Sequence, residues 1–237
     1  MTWSVIARDA ATGRVGIIVA SRFFAVGAAV PFIKTGVGAI ASQAFLNPLY
    51  GPAGLVALEQ GATAAATIAQ LPATDDGRDH RQIHAMDRTG AFAAHTGAAC
   101  VDWCGHTIRP MLSVAGNMLA GPAVVADTIA AYDANLAVPF ARRLILAMQA
   151  GEAAGGDKRG RQSAALLIHD QEDYALYNLR VDDHPDPFAE LARLQQVARE
   201  RYLHFRRRMP SRAQPSGNTD RSDIDAFIAR SIAEGYE

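Results

Sequence analysis

The stretch MTWSVIARDAATGRVGIIVA, residues 1–20, predicts a β-hairpin that begins at the second residue. Apolar and polar side chains alternate in its first half, with Trp3 and every second residue after it on one face, which is typical of a strand in a sheet. The segment ATGR, residues 11–14, contains Gly13, which can adopt the positive φ of a hairpin turn. The apolar run 15–20 is then the second strand.

Thr2 is the first candidate catalytic residue, because it heads this strand directly after the initiator methionine. A residue as small as threonine normally allows removal of the methionine, and Thr2 would then carry a hydroxyl and a free α-amine together. An α-amine has a pKa of about 7.7–8.0, so it can act as a base near neutral pH. A threonine activated by its own amine is a recognised nucleophile and base pair. The alternative is an ordinary Met-Thr start, as in many proteins that are not enzymes.

Composition limits the classes of function. The chain has 237 residues, of which 49% are hydrophobic and 20% charged, with a formal net charge of −1. This balance predicts one globular domain or a domain with an arm, and it predicts neither nucleic-acid nor membrane binding. The two cysteines cannot form a disulfide framework, and the most apolar run, Phe23–Ile33, is shorter than the roughly 20 residues of a membrane span. Without a signal peptide, the chain is predicted to be cytoplasmic.

The order of the predicted elements favours an α+β fold. Strand-like runs come first, two amphipathic helices follow at 124–136 and 140–150, and strand-like runs return at 163–169 and 174–181. Strands grouped in this way indicate α+β layering rather than alternating β and α units.

The C-terminal part is predicted to be an extension. We predict a domain over 1–209, a polar linker over 210–219 and a helix over 220–237. This helix has an apolar stripe of Ile224, Phe227, Ile228 and Ile232. An apolar stripe must be buried, so a homodimer is predicted. The basic run 199–212 contains aromatic residues as in nucleic-acid binding, but the acidic C-terminal helix is a nearer partner for its charge.

Further polar residues lie at the predicted strand ends. The hairpin brings Ser21 and Arg22 close to Thr2, and both are predicted to bind substrate. Ser42 and Gln43 end a later strand, where Gln43 could donate to a substrate carbonyl.

Two more segments complete the candidate site. Asn117 and the N–H of Gly116 are predicted to stabilise an oxyanion, with an ordinary turn as the alternative. In the glycine-rich loop 155–163, Arg161 is predicted to bind a substrate carboxylate, unless the loop is simply exposed and flexible.

No metal or cofactor is predicted. The segment CVDWCGH offers Cys100, Cys104 and His106, but a second strong pair of zinc ligands is missing. The segment VDDHPDP is interpreted as a helix cap, with Asp186 before Pro187 at the first helical position.

The chain resembles a bacterial family, number 1028 among the domains of unknown function. The resemblance rests on the opening stretch to about residue 55 and continues in order through HTGAACVDWCGH, SVAGNMLAG, AAGGDKRGRQSAALL and LRVDDHPDPFAELARL, which together cover about residues 2–194. That family is grouped by fold with the N-terminal-nucleophile (Ntn) hydrolases. The resemblance therefore implies a four-layer αββα sandwich with residue 2 at its catalytic edge.

The resemblance also implies roles for three residues. Lys34 stands at a sequence distance from Thr2 like that of the catalytic lysine of proteasome-type relatives. Asp157 and Ser163 resemble in kind the late-loop pair that hydrogen-bonds the N-terminal amine, although their spacing differs.

Two functions remain open at this point. The first is an Ntn-type hydrolase that cleaves a small linear amide or peptide-like substrate through Thr2. The second is a non-catalytic ligand-binding or scaffold protein that keeps the fold. Only the hydrolase requires that Met1 be removed and that a polar cleft lie beside Thr2.

Overall fold

Two antiparallel sheets are built from the strands of the N-terminal part of the chain. The computed structural model describes residues 2–236, so Met1 and its predicted removal lie outside the described residues. The strands are β1 (Thr2–Arg8), β2 (Val15–Ser21), β3 (Pro31–Lys34), β4 (Gly38–Ala44), β5 (Arg81–Asp87), β6 (Phe92–Thr96), β7 (Gly105–Arg109), β8 (Leu112–Asn117), β9 (Ser163–His169) and β10 (Tyr177–Val181). The larger sheet has the order β10-β9-β2-β1-β8-β7, and the smaller one has the order β3-β4-β5-β6.

The predicted hairpin is confirmed. β1 and β2 pair antiparallel from Trp3 opposite Ala20 to Arg8 opposite Val15. On its other side β1 pairs with β8, so it lies inside the six-stranded sheet. A strand with a neighbour on each side has its backbone hydrogen bonds satisfied along its length, and β1 is therefore a rigid support for the residue at its head.

Helices pack on both sheets. They are α1 (Val26–Ala29), α2 (Tyr50–Glu59), α3 (Ala64–Ala73), α4 (Ala123–Ala134), α5 (Phe140–Ala153), α6 (Pro187–Glu200), α7 (Tyr202–Arg206) and α8 (Arg221–Ala233), with a short 3-10 turn at Arg78–His80. α2 and α3 contact β4 and β5 of the smaller sheet, whereas α4 and α5 contact β8 and β2 of the larger one. The predicted α+β class is confirmed by this arrangement.

The two sheets share an apolar core. Ile6 and Val19 of the larger sheet pack in one cluster with Ala39, Ala41 and Met86 of the smaller sheet. Alternate residues of β1 therefore face the other sheet, while the intervening ones face the helices. Trp3, on the helix side, is 1% exposed, and its ring lies 5.7 Å from that of Phe188.

The chain divides into two compact units, Met1–Leu191 and Ala192–Glu237. α6 begins in the first unit, and its predicted cap is confirmed. It starts at Pro187, and Asp186 accepts a hydrogen bond from the N–H of Ala189 at 3.1 Å. Within residues 2–236 there is no helix whose length and apolar character would let it cross a membrane.

The second unit pairs its own charges. Arg201 lies 2.7 Å from Asp225, and Arg208 lies 3.4 Å from Asp223, so the acidic helix does neutralise part of the basic run. The guanidinium of Arg208 also lies 3.9 Å from the ring centre of Phe227.

The apolar stripe of α8 has partners inside the same unit. Ile224 and Ile228 are buried, and Ser231 hydrogen-bonds His204 of α7 at 2.8 Å. The stripe therefore no longer requires a second subunit, although Ile232 remains 47% exposed. The homodimer stays a prediction.

Candidate active site

Thr2 lies where three strand ends meet. It pairs with Asn117 at the end of β8, and its hydroxyl donates to the Ser21 hydroxyl, at the end of β2, over 3.2 Å. Ser21 in turn lies opposite Ser163 at the start of β9. Thr2 is 6% exposed, and the partner of its hydroxyl is polar. The predicted approach of Ser21 to Thr2 is therefore seen in the structure.

Two buried amides hold the carbonyl of Thr2. Asn117 Nδ2 donates to it at 3.2 Å and Gln43 Nε2 at 3.4 Å. The same nitrogens also donate to Gln82 Oε1, and Gln43 Nε2 further contacts the carbonyl of Ala115. A side-chain amide nitrogen carries two hydrogens, so those of Asn117 and Gln43 are already committed. The predictions that Gln43 donates to substrate and that the Asn117 amide binds an oxyanion are corrected, because both groups fix the backbone of Thr2.

Gly116 is also committed to the sheet. It lies within β8, with Trp3 opposite it on β1 and Gly105 opposite it on β7. Its carbonyl accepts a hydrogen bond from Gln82 Nε2 at 2.8 Å. An N–H in this position belongs to the ladder between strands, so the predicted oxyanion role of Gly116 is corrected as well.

A polar network continues between the sheets, and sequence reasoning missed most of it. Ser4 donates to Gln43 Oε1 at 2.7 Å and lies 2.8 Å from His84 Nε2. His84 Nδ1 lies 2.9 Å from the Ser113 hydroxyl. Because the Ser4 proton goes to Gln43, this pattern assigns the hydrogen to Nε2 of a neutral His84. Burial, helped by the charge of His106, lowers the pKa of His84 to about 3.

The glycine-rich loop reaches this end of the sheet through Asp157. This buried carboxylate accepts from the backbone N–H of Arg22 and from that of Arg159, each at 2.8 Å. A backbone bridge joins Asp157 to Leu119, two residues beyond β8. Asp157 is thus held at the end of the sheet where Thr2 lies, and the bonds described for it run to the backbone of Arg22 and to the backbone and side chain of Arg159 rather than to Thr2.

Ser163 has a similar role. Its hydroxyl donates to the carbonyl of Phe23 at 2.5 Å and accepts from the N–H of Val26 at 3.2 Å. Ser163 therefore fixes the turn that follows β2. Its predicted contact with the N-terminal amine is not among the bonds of residues 2–236 and stays a prediction.

Arg161 is turned towards carboxylates of its own chain. Its guanidinium lies 3.8 Å from Glu152 and 3.5 Å from Asp186, and its Nε donates to the carbonyl of Pro185 at 3.0 Å. Arg22, which is exposed, donates to the Arg161 carbonyl at 3.4 Å. Two protein carboxylates thus lie beside the Arg161 guanidinium, and its predicted binding of a substrate carboxylate stays a prediction. No bond from the Arg22 side chain towards Thr2 is described.

Lys34 and Ser42 do not join the site. Lys34 Nζ lies 2.6 Å from the Glu59 carboxylate and lines a cavity with Arg8, at the opposite end of β1. Six residue steps of about 3.3 Å separate the two ends of this strand by roughly 20 Å. The Ser42 hydroxyl donates to the Asn47 carbonyl at 3.1 Å on the face of β4 that points away from the other sheet. The predicted catalytic Lys34 and substrate-binding Ser42 are therefore corrected.

A cavity of about 170 Å³ opens beside Asn117. Its lining consists of Ala44, Phe45, His80, Cys100, Val101, Asn117, Met118 and Arg159. Ala44 and Met118 have φ of 72° and 58°. Residues other than glycine in this left-handed region are strained, and such strain is concentrated at functional sites.

Arg159 brings charge to this cavity. One guanidinium nitrogen lies 3.3 Å from Asp157, and the side chain is 43% exposed. A guanidinium has five N–H donors, so this contact leaves several of them available. Sequence reasoning missed Arg159; its signal was a second arginine two residues from Arg161 in the same loop.

The thiols are protonated structural groups. Cys100 donates to the Arg81 carbonyl at 3.3 Å, and Cys104 donates to the Cys100 carbonyl at 3.5 Å. Burial raises the pKa of both thiols. In the described part of the chain, no group of three or more His, Cys, Asp or Glu is placed to hold a metal ion.

Similarity to known proteins identifies the family of this chain. The model of the family of unknown function DUF1028 matches residues 2–191, and the chain belongs to this family. The crystal structure of protein SPO2555 from Silicibacter pomeroyi, attributed to the same family, is similar with 32% identity and a TM-score of 0.86, over 92% of this chain and 99% of that one. Anbu, the ancestral β-subunit, from Yersinia bercovieri is 10% identical with a TM-score of 0.42, over 83% and 94%, and this weak likeness carries no argument. No curated protein matches.

Proposed function

We propose that this member of the DUF1028 family is an Ntn-type amide hydrolase whose nucleophile is Thr2, freed by removal of Met1. The observation that carries the proposal is the frame around Thr2. Its hydroxyl bonds Ser21 and its carbonyl is held by Gln43 and Asn117, and Asn117, its partner on β8, lines the cavity of about 170 Å³. A nucleophile must be held about 3–3.5 Å from the carbon that it attacks, and such a frame supplies that precision.

The fold is proposed to be the αββα sandwich of the Ntn hydrolases. The two sheets pack face to face, with α4 and α5 on the larger sheet and α2 and α3 on the smaller one. In this reading the catalytic edge is the end of β1 that carries Thr2.

The chemistry needs no group beyond residue 2 and water. The α-amine of Thr2 takes the hydroxyl proton while Oγ1 bonds to the amide carbonyl carbon. Cleavage of the C–N bond leaves an acyl ester on Thr2, and the proton passes to the departing amine. Water then attacks the ester, releases a carboxylic acid and restores Thr2.

The substrate is proposed to be a small linear amide with an anionic group. Arg159 supplies the positive charge of the cavity, while Phe45, Val101 and Met118 supply an apolar wall. The volume of about 170 Å³ corresponds to about six water molecules at roughly 30 Å³ each, which limits the part of the substrate that enters. Arg159 replaces Arg161 as the residue that binds a carboxylate.

The test is a covalent trap. Purified protein is incubated with small activated esters and β-lactones, with and without a carboxylate, and the adduct is located by intact mass and peptide mapping. We expect one acyl group on Thr2, none on Thr2→Ala, and a reduced amount on Thr2→Ser. Ser42→Ala is the matched control, because Ser42 faces the other side of β4, and it should label like the wild type.

Arg159 and Arg161 form a second matched pair in this experiment. Arg159→Gln should label at least ten-fold more slowly with the carboxylate probe and about equally with the neutral probe. Arg161→Gln should label like the wild type with both. If no probe labels Thr2 in protein that lacks Met1, the chain is a binding or scaffold protein with this fold.

A further inference from the structure

A second cavity lies at the other end of β1, away from the proposed catalytic edge. It has a volume of about 100 Å³ and shares no lining residue with the cavity beside Asn117. Its polar lining includes Arg8, Lys34, Thr35, Arg88 and His169, together with Asp87 and Asp170. We call it the Arg8 cavity.

The side chain of Arg8 has no hydrogen-bond acceptor among residues 2–236. Its guanidinium makes neither an ion pair nor a hydrogen bond there, although the residue is half-buried. Its NH1 lies against the turn after β5, since a Cβ added to Gly90 would stand 3.1 Å from that nitrogen. A guanidinium has five donors and no acceptor of its own, and leaving such a group partly buried and unpaired is unfavourable. Arg8 is therefore ready to bind an acceptor from outside the chain.

The first acid of the cavity is committed elsewhere. Asp87 Oδ1 accepts from the N–H and hydroxyl of Thr89 and from the N–H of Ala91, and Oδ2 accepts from the N–H of Ala64. All of these bonds lie within the turn and at the start of α3. Asp87 is thus a structural cap rather than the counterion of Arg8.

The second acid has its own cation. Asp170 lies 3.3 Å from Nε of Arg14. Arg88, which also lines the cavity, donates to the carbonyls of Leu58 and Glu59 at 3.2 and 3.0 Å, and neither of these bonds pairs its charge with a carboxylate. The cavity therefore has an excess of positive charge.

From this geometry we propose that the Arg8 cavity binds a small oxyanion of the size of inorganic phosphate. Arg8 forms the charged hydrogen bonds, which are strongest when a planar guanidinium meets two oxygens of one anion. Arg88 adds positive charge. A space of about 100 Å³ corresponds to about three water molecules at roughly 30 Å³ each, which suits a small anion such as phosphate. The site is independent of Thr2 and of the proposed hydrolase.

The test is a titration with inorganic phosphate at constant ionic strength, followed by the ¹⁵Nε resonances of the arginines and by thermal unfolding. We expect saturable shifts of the Arg8 resonance and a rise in melting temperature. Arg8→Gln should weaken phosphate binding at least ten-fold, whereas Arg109→Gln, at the exposed ion pair with Asp133, should bind like the wild type. Sulfate should compete with phosphate.

Two results would overturn the proposal. One is an Arg8 resonance in the wild type that does not move up to saturating phosphate, a result that does not depend on whether a variant folds. The other is equal phosphate binding by the wild type and Arg8→Gln. A phosphate monoester is titrated in parallel; binding at least ten-fold tighter than that of the free ion would identify a phosphorylated ligand as the source of the group. Neither outcome depends on labelling of Thr2.

Discussion

The two ends of β1 differ in charge and in pairing. Its first residue, Thr2, has a neutral hydroxyl that is hydrogen-bonded to Ser21. Its last residue, Arg8, has a guanidinium whose N–H groups find no acceptor among residues 2–236. The Thr2 end is built from amides and hydroxyls that satisfy one another, and its charge is brought by Arg159 from a loop. The Arg8 end keeps its charge on the strand. Neutral groups that satisfy one another fix a backbone, whereas an unpaired charge favours an anion, which is why we propose chemistry at the Thr2 end and anion binding at the Arg8 end.

The largest expected change in the free energy of unfolding tests whether His84, in the polar network between the two sheets, stays neutral. An unfolded histidine has a pKa of about 6.5, whereas that of buried His84 is about 3. Between these values the unfolded state binds more protons, so the free energy of unfolding falls as the pH falls from about 6.5 to about 3. At 1.36 kcal/mol per pKa unit, the loss at pH 3 is roughly 5 kcal/mol.

The measurement is urea denaturation from pH 7 to pH 3 on the wild type and on His84→Gln. The carboxylates titrate in both proteins, so the difference between the two isolates His84. The difference in the free energy of unfolding between the wild type and His84→Gln should become steadily smaller as the pH falls. A gap that is constant over this range would mean that His84 is not held neutral.

A somewhat smaller loss of stability is expected when the hydrogen bonds among the buried amides of Gln43, Gln82 and Asn117 are broken together. Gln82 accepts from Gln43 and Asn117, and donates to Thr96, Gly105 and Gly116. Because Gln82→Leu leaves several buried groups unpaired at once, we expect it to lower the free energy of unfolding by about 3–4 kcal/mol.

Ser42→Ala is the comparison for this variant. Ser42 is also fully buried on the smaller sheet but makes a single side-chain bond, to the Asn47 carbonyl, so about 1 kcal/mol is expected. Equal losses in the two variants would contradict the idea of a connected network. Denaturation by guanidinium chloride gives both values.

The smallest expected effect is an increase in the free energy of unfolding. Ala44, on the wall of the cavity beside Asn117, has a φ of 72°, which glycine adopts without strain. Ala44→Gly should therefore raise the free energy of unfolding by about 1 kcal/mol. Ala41→Gly, three residues earlier in the same strand and fully buried, should lower it by at least about 1 kcal/mol. Destabilisation by both substitutions would show that Ala44 stores no strain.

Local patterns could be predicted from the sequence. The alternation in β1, Gly13 in the first turn and the Asp186–Pro187 cap each depend on neighbouring residues, and each is present in the structure. Two boundaries were harder. The short edge strand Gly105–Arg109 has a polar sequence without a clear pattern, and nothing in the basic run 199–212 marks Arg201 as the break between α6 and α7.

The site was less predictable because its partners are distant in the chain. Ser4 and His84 are 80 residues apart and meet only because the two sheets pack face to face. Lys34 was predicted to lie near Thr2 on its sequence distance alone, but the β3–β4 hairpin places it at the end of β1 that carries Arg8. Arg161 and Arg159 are two residues apart, but Arg161 lies beside Glu152 and Asp186, whereas Arg159 lines the cavity beside Asn117.

The central claim is that Thr2 is the N-terminal nucleophile of the mature protein. The most direct measurement is N-terminal peptide mass spectrometry of the protein purified from its native host at its natural level. We expect a peptide that begins at Thr2 with an unmodified α-amine. Quantitative retention of Met1, or a blocked amine on Thr2, would contradict it.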